Sequence, residues 1–126
     1  MIKYKTRDEI ELMRLSAQLV SKTLGIIAKE VKPGVTSLYL DGIPDKKPLK
    51  NGDVISIDCG VFMNGFYGDH AYTFEVGEVD PKVKKLLQVT KECLDLGIEQ
   101  VKKGNRIGDV SFAIQHHAEK NGYVII

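Results

Sequence analysis

The chain has 126 residues, of which 43% are hydrophobic and 28% charged, which suits one small globular domain of ordinary composition. A net charge of +1 without a basic cluster excludes a phosphate-tracking surface, so nucleic acid is not an expected partner. Two cysteines, Cys59 and Cys93, are too few for a disulfide framework or a zinc spacing, and a reduced cytoplasmic setting is the simpler expectation.

Residues 1–10 lack the apolar core of a signal peptide. No apolar run reaches bilayer length, so no membrane partner is expected. Thr6-Arg7-Asp8-Glu9 reads as a capping box that opens a helix. Ile10, Met13, Ala17, Val20, Leu24, Ile27 and Val31 then recur at helical spacing and predict its buried face. Pro33-Gly34 ends that helix. A second helix starting at Thr36–Leu40 runs almost at once into Gly42-Ile43-Pro44 and has no length.

Val54–Val61 and Phe66–Val76 alternate as strands around Asn64-Gly65. Asn-Gly suits a type I′ turn, which needs positive φ at both central residues. With these two at the tip, Met63 faces Phe66, Phe62 faces Tyr67, Val61 faces Gly68 and Gly60 faces Asp69. Asp58 shares Gly60's face, so Asp58 and Asp69 become diagonal neighbours roughly 7 Å apart. Such a pair either turns to solvent or holds a cation that relieves its repulsion. Gly60 and Gly68 within the strands mark a bulge or a close backbone approach, and a bulge there breaks the face assignment.

Asp80 caps the next helix with Pro81 at its first position. Val83, Leu86, Leu87, Leu94, Ile98 and Val101 are its predicted buried stripe, and Gly104 ends it. Asp109 opens a last helix to about Asn121, and Tyr123–Ile126 read as the start of a strand. Val31-Lys32-Pro33-Gly34 and Val101-Lys102-Lys103-Gly104 each follow a long helix and precede a helix start. This is either a repeat of helix, helix, hairpin or a coincidence of common helix ends. His70 points away from the aspartates, Cys59 reads as a small buried residue, and His116 and His117 read as structural or exposed. Lys82, Lys84, Lys85 and Lys91 read as a solvated helix face.

The segments G-I-P-D-K-K-P-L-K-N-G-D-V-I-S-I-D-C-G and G-F-Y-G-D-H-A-Y-T-F resemble type I methionine aminopeptidases. So do V-K-P-G-V-T-S-L and the tail G-N-R-I-G-D-V-S-F-A-I-Q-H-H-A-E-K-N-G-Y. The resemblance implies a partial pita-bread fold of the α/β (α+β) class in a single domain over 1–126, about one of two pseudo-symmetric halves plus the helices of the second. It implies two divalent metal ions (Co, Mn, Fe, Zn or Mg), with Asp58 chelating one and Asp69 bridging both. The implied reaction is metal-assisted removal of the initiator methionine from nascent-protein or peptide N-termini.

The chain also departs from that family. Asp41 stands where the family has a substrate-contacting histidine, which places a deletion of a few dozen residues at about 41–42. Two of five family ligands are present, and the other three belong to a region beyond residue 126. The expectation for this chain is therefore weak metal binding and little or no activity. The alternatives are a non-catalytic binding module, or a half-domain that self-associates through exposed sheet edges.

Overall fold

The structure, a computed structural model, describes residues 2–41 and 47–125, with Asp41 described by its backbone alone. The proposed junction at 41–42 therefore lies outside the described residues, as does the Gly42-Ile43-Pro44 segment. The chain divides into two compact units, Met1–Val79 and Asp80–Ile126.

In the first unit, helix α1 runs Arg7–Glu30. Its start is set by the expected capping box. Thr6 Oγ1 accepts from the Glu9 N–H at 3.2 Å, and Glu9 Oε2 accepts from the Thr6 N–H at 2.7 Å. A short helix, α2, spans Ser37–Asp41, as brief as the sequence requires. Strands β1 (Val54–Met63) and β2 (Phe66–Glu75) form a two-stranded antiparallel sheet. Their turn is built by Asn64 (φ 54°) and Gly65 (φ 81°), the positive pair that a type I′ turn demands.

The pairing is Met63 with Phe66, Phe62 with Tyr67, Val61 with Gly68 and Gly60 with Asp69, continuing unbroken to Val54 with Glu75. No bulge interrupts the ladder, so alternation is preserved from the turn to both strand ends. Gly68 is instead a close approach. A β-carbon there would fall 2.6 Å from the carbonyl carbon and oxygen of Ser16.

The buried row of α1 is Ser16, Val20 and Leu24, narrower than the expected stripe. Ile10, Met13 and Ala17 are exposed. The physical reason is the width of what α1 packs on. Two strands lie about 5 Å apart, so the sheet covers one i, i+4 row of a helix and leaves the flanking rows open.

In the second unit, α3 spans Pro81–Glu99 and α4 spans Ile107–Lys120. Asp80 caps α3, its Oδ1 accepting from the Lys82 N–H at 2.7 Å with Pro81 next to it. The buried residues of α3 are Val89, Cys93 and Gly97, rather than the expected stripe. Leu94, Ile98 and Val101 are 52%, 60% and 74% exposed. Here α3 packs on one helix, α4, so again a single i, i+4 row is covered, and Ala118, Ile114 and Tyr123 complete the cluster.

Helix α4 starts two residues before Asp109, whose carboxylate reaches back to the Arg106 N–H at 2.7 Å. Asp109 is thus the third helical residue, and not the cap. Tyr123–Ile125 form no strand, and the Asp80–Ile126 unit holds no strand among its described residues to pair with them. Each unit places a left-handed glycine three residues before its second helix, Gly34 before Ser37 and Gly104 before Ile107, as either a repeat or a coincidence of common helix ends would give.

A polar bridge links α3 to α4. His117 Nε2 lies 2.7 Å from Glu92 Oε2, and Gln88 Nε2 donates to Glu92 Oε1 at 2.8 Å. The hydrogen bond with His117, then that from Gln88, holds the Glu92 carboxyl below its usual 4.5. A lowered folded pKa means that the bridge stabilises fully above 4.5 and is lost as pH falls through the lowered value. Thermal melts between pH 6 and pH 3 are expected to show Glu92→Gln with a shallower acid loss than the parent. Equal slopes would remove the bridge from the account.

Candidate metal centre

Alternation sorts the hairpin into two faces. One carries Ile55, Ile57, Cys59, Val61 and Met63, half-buried as α1 packs over them. The other carries Ser56, Asp58, Gly60 and Phe62 on β1, and Tyr67, Asp69, Ala71 and Thr73 on β2. Asp58 pairs with Ala71 and Asp69 pairs with Gly60, so the two carboxylates are diagonal neighbours on this open face, and both are exposed. Gly60 contributes no side chain between them, and a β-carbon there would meet nothing within 4 Å.

The aspartates are bracketed along the strands. On one side, Ser56 Oγ and Thr73 Oγ1 share a hydrogen bond of 2.7 Å. On the turn side, the Phe62 and Tyr67 rings stack tilted at 40° with centroids 4.6 Å apart. Both brackets are cross-strand pairs that hold the hairpin in register. The patterning was visible in the sequence, but the hydroxyl and aromatic pairs become evident only once the register is fixed.

The remaining candidates lie elsewhere. His70 pairs with Cys59 on the α1 face and lines an open cleft of about 430 Å³ with Ser21, Leu24, Gly25, Ala28, Tyr72 and Phe74. In the second unit, His117 bridges to Glu92, and His116 stacks on Phe112 with centroids 5.5 Å apart. Cys93 is buried in the α3–α4 cluster. Lys82, Lys85 and Lys91 are exposed as expected. Of Asp41, only the backbone is described. Sequence reasoning missed Ser16, the one buried polar residue among those described, because a serine inside an apolar stripe carries no periodic signal.

Among the described residues, no group of three or more His, Cys, Asp or Glu side chains gathers in a metal-binding arrangement. Two carboxylates supply hard oxygen donors, the chemistry preferred by Mg²⁺ or Mn²⁺. That set fits one hard ion held loosely with solvent. It does not by itself complete a two-ion centre.

The family model for metallopeptidase family M24 matches residues 34–125. The chain belongs to this family. M24 membership implies use of a divalent metal. Among curated relatives, the methionine aminopeptidase of Clostridium acetobutylicum is 36% identical over 163 residues, covering 100% of this chain and 65% of the relative. The crystal structure of methionine aminopeptidase from Rickettsia prowazekii superposes with a TM-score of 0.95 at 34% identity, covering 100% of this chain and 65% of that one. That from Thermotoga maritima gives 0.86 at 31% identity, covering 97% and 64%. The M24 chain described here is thus a mixed α/β protein that matches part of the pita-bread fold and spans about 65% of the length of these relatives. Among the described residues, no helix is long and apolar enough to cross a membrane.

Proposed function

We propose that this chain carries the two-aspartate edge of a methionine aminopeptidase metal site, that it binds one divalent cation weakly through Asp58 and Asp69, and that alone it has little or no aminopeptidase activity. The observation that carries this reading is the unbroken register, which sets both carboxylates on one open face. The relatives' name supplies the substrate class, protein or peptide N-termini that begin with methionine. Held there, a divalent ion would supply Lewis acidity toward a peptide carbonyl. Asp58 and Asp69 would hold and orient it through their carboxylate oxygens.

The low activity follows from what accompanies the pair. Two donors leave most of a coordination sphere to water, and no third ligand gathers with them among the described residues. The alignment to the Clostridium relative extends over 163 positions for a chain of 126, so at least 37 positions of that relative fall opposite gaps. This supports an internal deletion, for which 41–42 is the proposed junction. A cytoplasmic setting is supported by two free cysteines, Cys59 and Cys93.

Calorimetric titration with Mn²⁺ is expected to give weak binding that Asp58→Ala removes. Hydrolysis of a Met-Ala-Ser peptide with Mn²⁺ or Co²⁺ added is expected to stay near background. Turnover by the pure chain that Asp69→Asn abolishes would overturn the inactivity.

A second reading has its own support. The sheet has only two strands, so each strand keeps one edge without a strand partner among the described residues. Such edges template pairing with another chain. Pairing with a second copy, or with a complementary half of the family fold, is therefore proposed as the alternative. Sedimentation of the pure chain at rising concentration tests pairing with a second copy, which a monomer throughout removes.

A further inference from the structure

Ser16 sits in a helix row whose other buried members are Val20 and Leu24, and it is itself fully buried. Its hydroxyl lies 3.3 Å from the Leu12 carbonyl one turn back, and 3.2 Å from both the Met63 and Phe66 carbonyls. Met63 and Phe66 are the pair that flanks the Asn64-Gly65 turn. A helical serine needs only its own i−4 carbonyl to satisfy its one proton. That one proton serves one carbonyl at a time, so donation to Met63 or Phe66 replaces the bond to Leu12 and ties the third turn of α1 to the turn end of the hairpin.

Two residues further along β2, the backbones themselves meet. A β-carbon at Gly68 would fall 2.6 Å from Ser16 C and O, and 2.8 Å from Ala17 N. Those are backbone atoms of a helix, which cannot swing aside as a side chain does. Any larger residue at 68 must lift β2 away from α1. The next residue is Asp69, on the opposite face.

We propose that Ser16 and Gly68 are positioning residues, a clamp by which α1 pre-organises the Asp58/Asp69 face from behind the sheet. An isolated two-stranded hairpin is marginal in water, and α1 is the helix that packs across both strands. Fixing the strands before a ligand arrives removes the ordering cost from the binding step. The metal part of this inference rests on the function proposed above. Coupling is reciprocal, so an ion held by Asp58 and Asp69 also tightens the seat of α1.

The test uses the full chain with Ser16→Ala, Gly68→Ala and a control, Val89→Ala, in the α3–α4 cluster. Hydrogen exchange of the amides in 54–75 is measured without metal, and Mn²⁺ affinity by calorimetry. Ser16→Ala is expected to weaken Mn²⁺ about fivefold, the equivalent of one hydrogen bond of about 1 kcal/mol. Gly68→Ala is expected to weaken it at least about tenfold. Both should speed hairpin exchange, while Val89→Ala should move neither reading. Mn²⁺ should slow exchange of the Ser16–Leu24 amides in the wild type.

Hairpin exchange unchanged in both variants overturns the clamp, and faster exchange with unchanged affinity overturns the pre-organisation. Should Gly68→Ala fail to fold, Ser16→Ala carries the same decision. A wild type that takes up no Mn²⁺ would sink the metal reading alone, because metal-free exchange still decides the clamp.

Discussion

Val20→Asp is expected to strip the hairpin of its exchange protection and, with it, any Mn²⁺ binding. Val20 is fully buried at the centre of the Ser16–Val20–Leu24 row. Losing its burial costs about 1.5–3 kcal/mol. A carboxylate forced into the same space without a partner adds several kcal/mol more unless it drags the helix off the sheet. The sum is comparable to the whole stability of a domain, roughly 5–15 kcal/mol. The hairpin cannot compensate, since two strands need a further layer to persist. Exchange of the amides in 54–75 measured on the full-length variant is the check. Protection retained at wild-type level would mean that α1 is not what holds the sheet. Val20→Ala, which removes volume without adding charge, should fall between the two.

That result bears on how the fold can be read from the sequence. The pairing beside the turn was legible, because Asn64-Gly65 suits a type I′ turn that sets Met63 opposite Phe66 and Gly60 opposite Asp69, whereas the strands run Val54–Met63 and Phe66–Glu75 rather than the expected Val54–Val61 and Phe66–Val76. Caps were legible for the same reason: Thr6 with Glu9 and Asp80 with Pro81 are local chemistry that needs no tertiary context. Burial was not. Ile10, Met13, Leu94 and Ile98 have the right period, and all are exposed. Periodicity reports the face that a helix can bury, and what lies against it decides how much of that face is covered.

The carboxylate face shows the same division. Its register and sidedness follow from alternation. Its support from behind depends on Ser16, whose role appears only when helix and strand meet. Gly68 lies between these cases. A glycine in a strand announced either a bulge or a close approach, and the Ser16 backbone at 2.6 Å decides for the second.

Asp69→Asn is expected to abolish Mn²⁺ uptake while leaving the metal-free chain as stable as the wild type, or slightly more so. The two effects have opposite signs for one physical reason. Asp58 and Asp69 are diagonal neighbours on an exposed face, and two like charges roughly 7 Å apart repel by about 0.5 kcal/mol in water, less in salt. Asparagine keeps the shape and removes that repulsion. It also removes one of only two hard anionic donors, and a hard ion left with a single carboxylate has little to hold it against its own hydration. An aspartate kept for stability behaves the other way, since neutralising it lowers the melting temperature. The decisive measurement is therefore a pair, the metal-free melting temperature in low and in 0.5 M salt alongside Mn²⁺ calorimetry. A melting temperature at or above wild type in low salt, converging at high salt, with binding lost, assigns Asp69 to the ion. A clear drop in melting temperature at both salts would assign it to the fold and overturn the metal-holding role proposed for it.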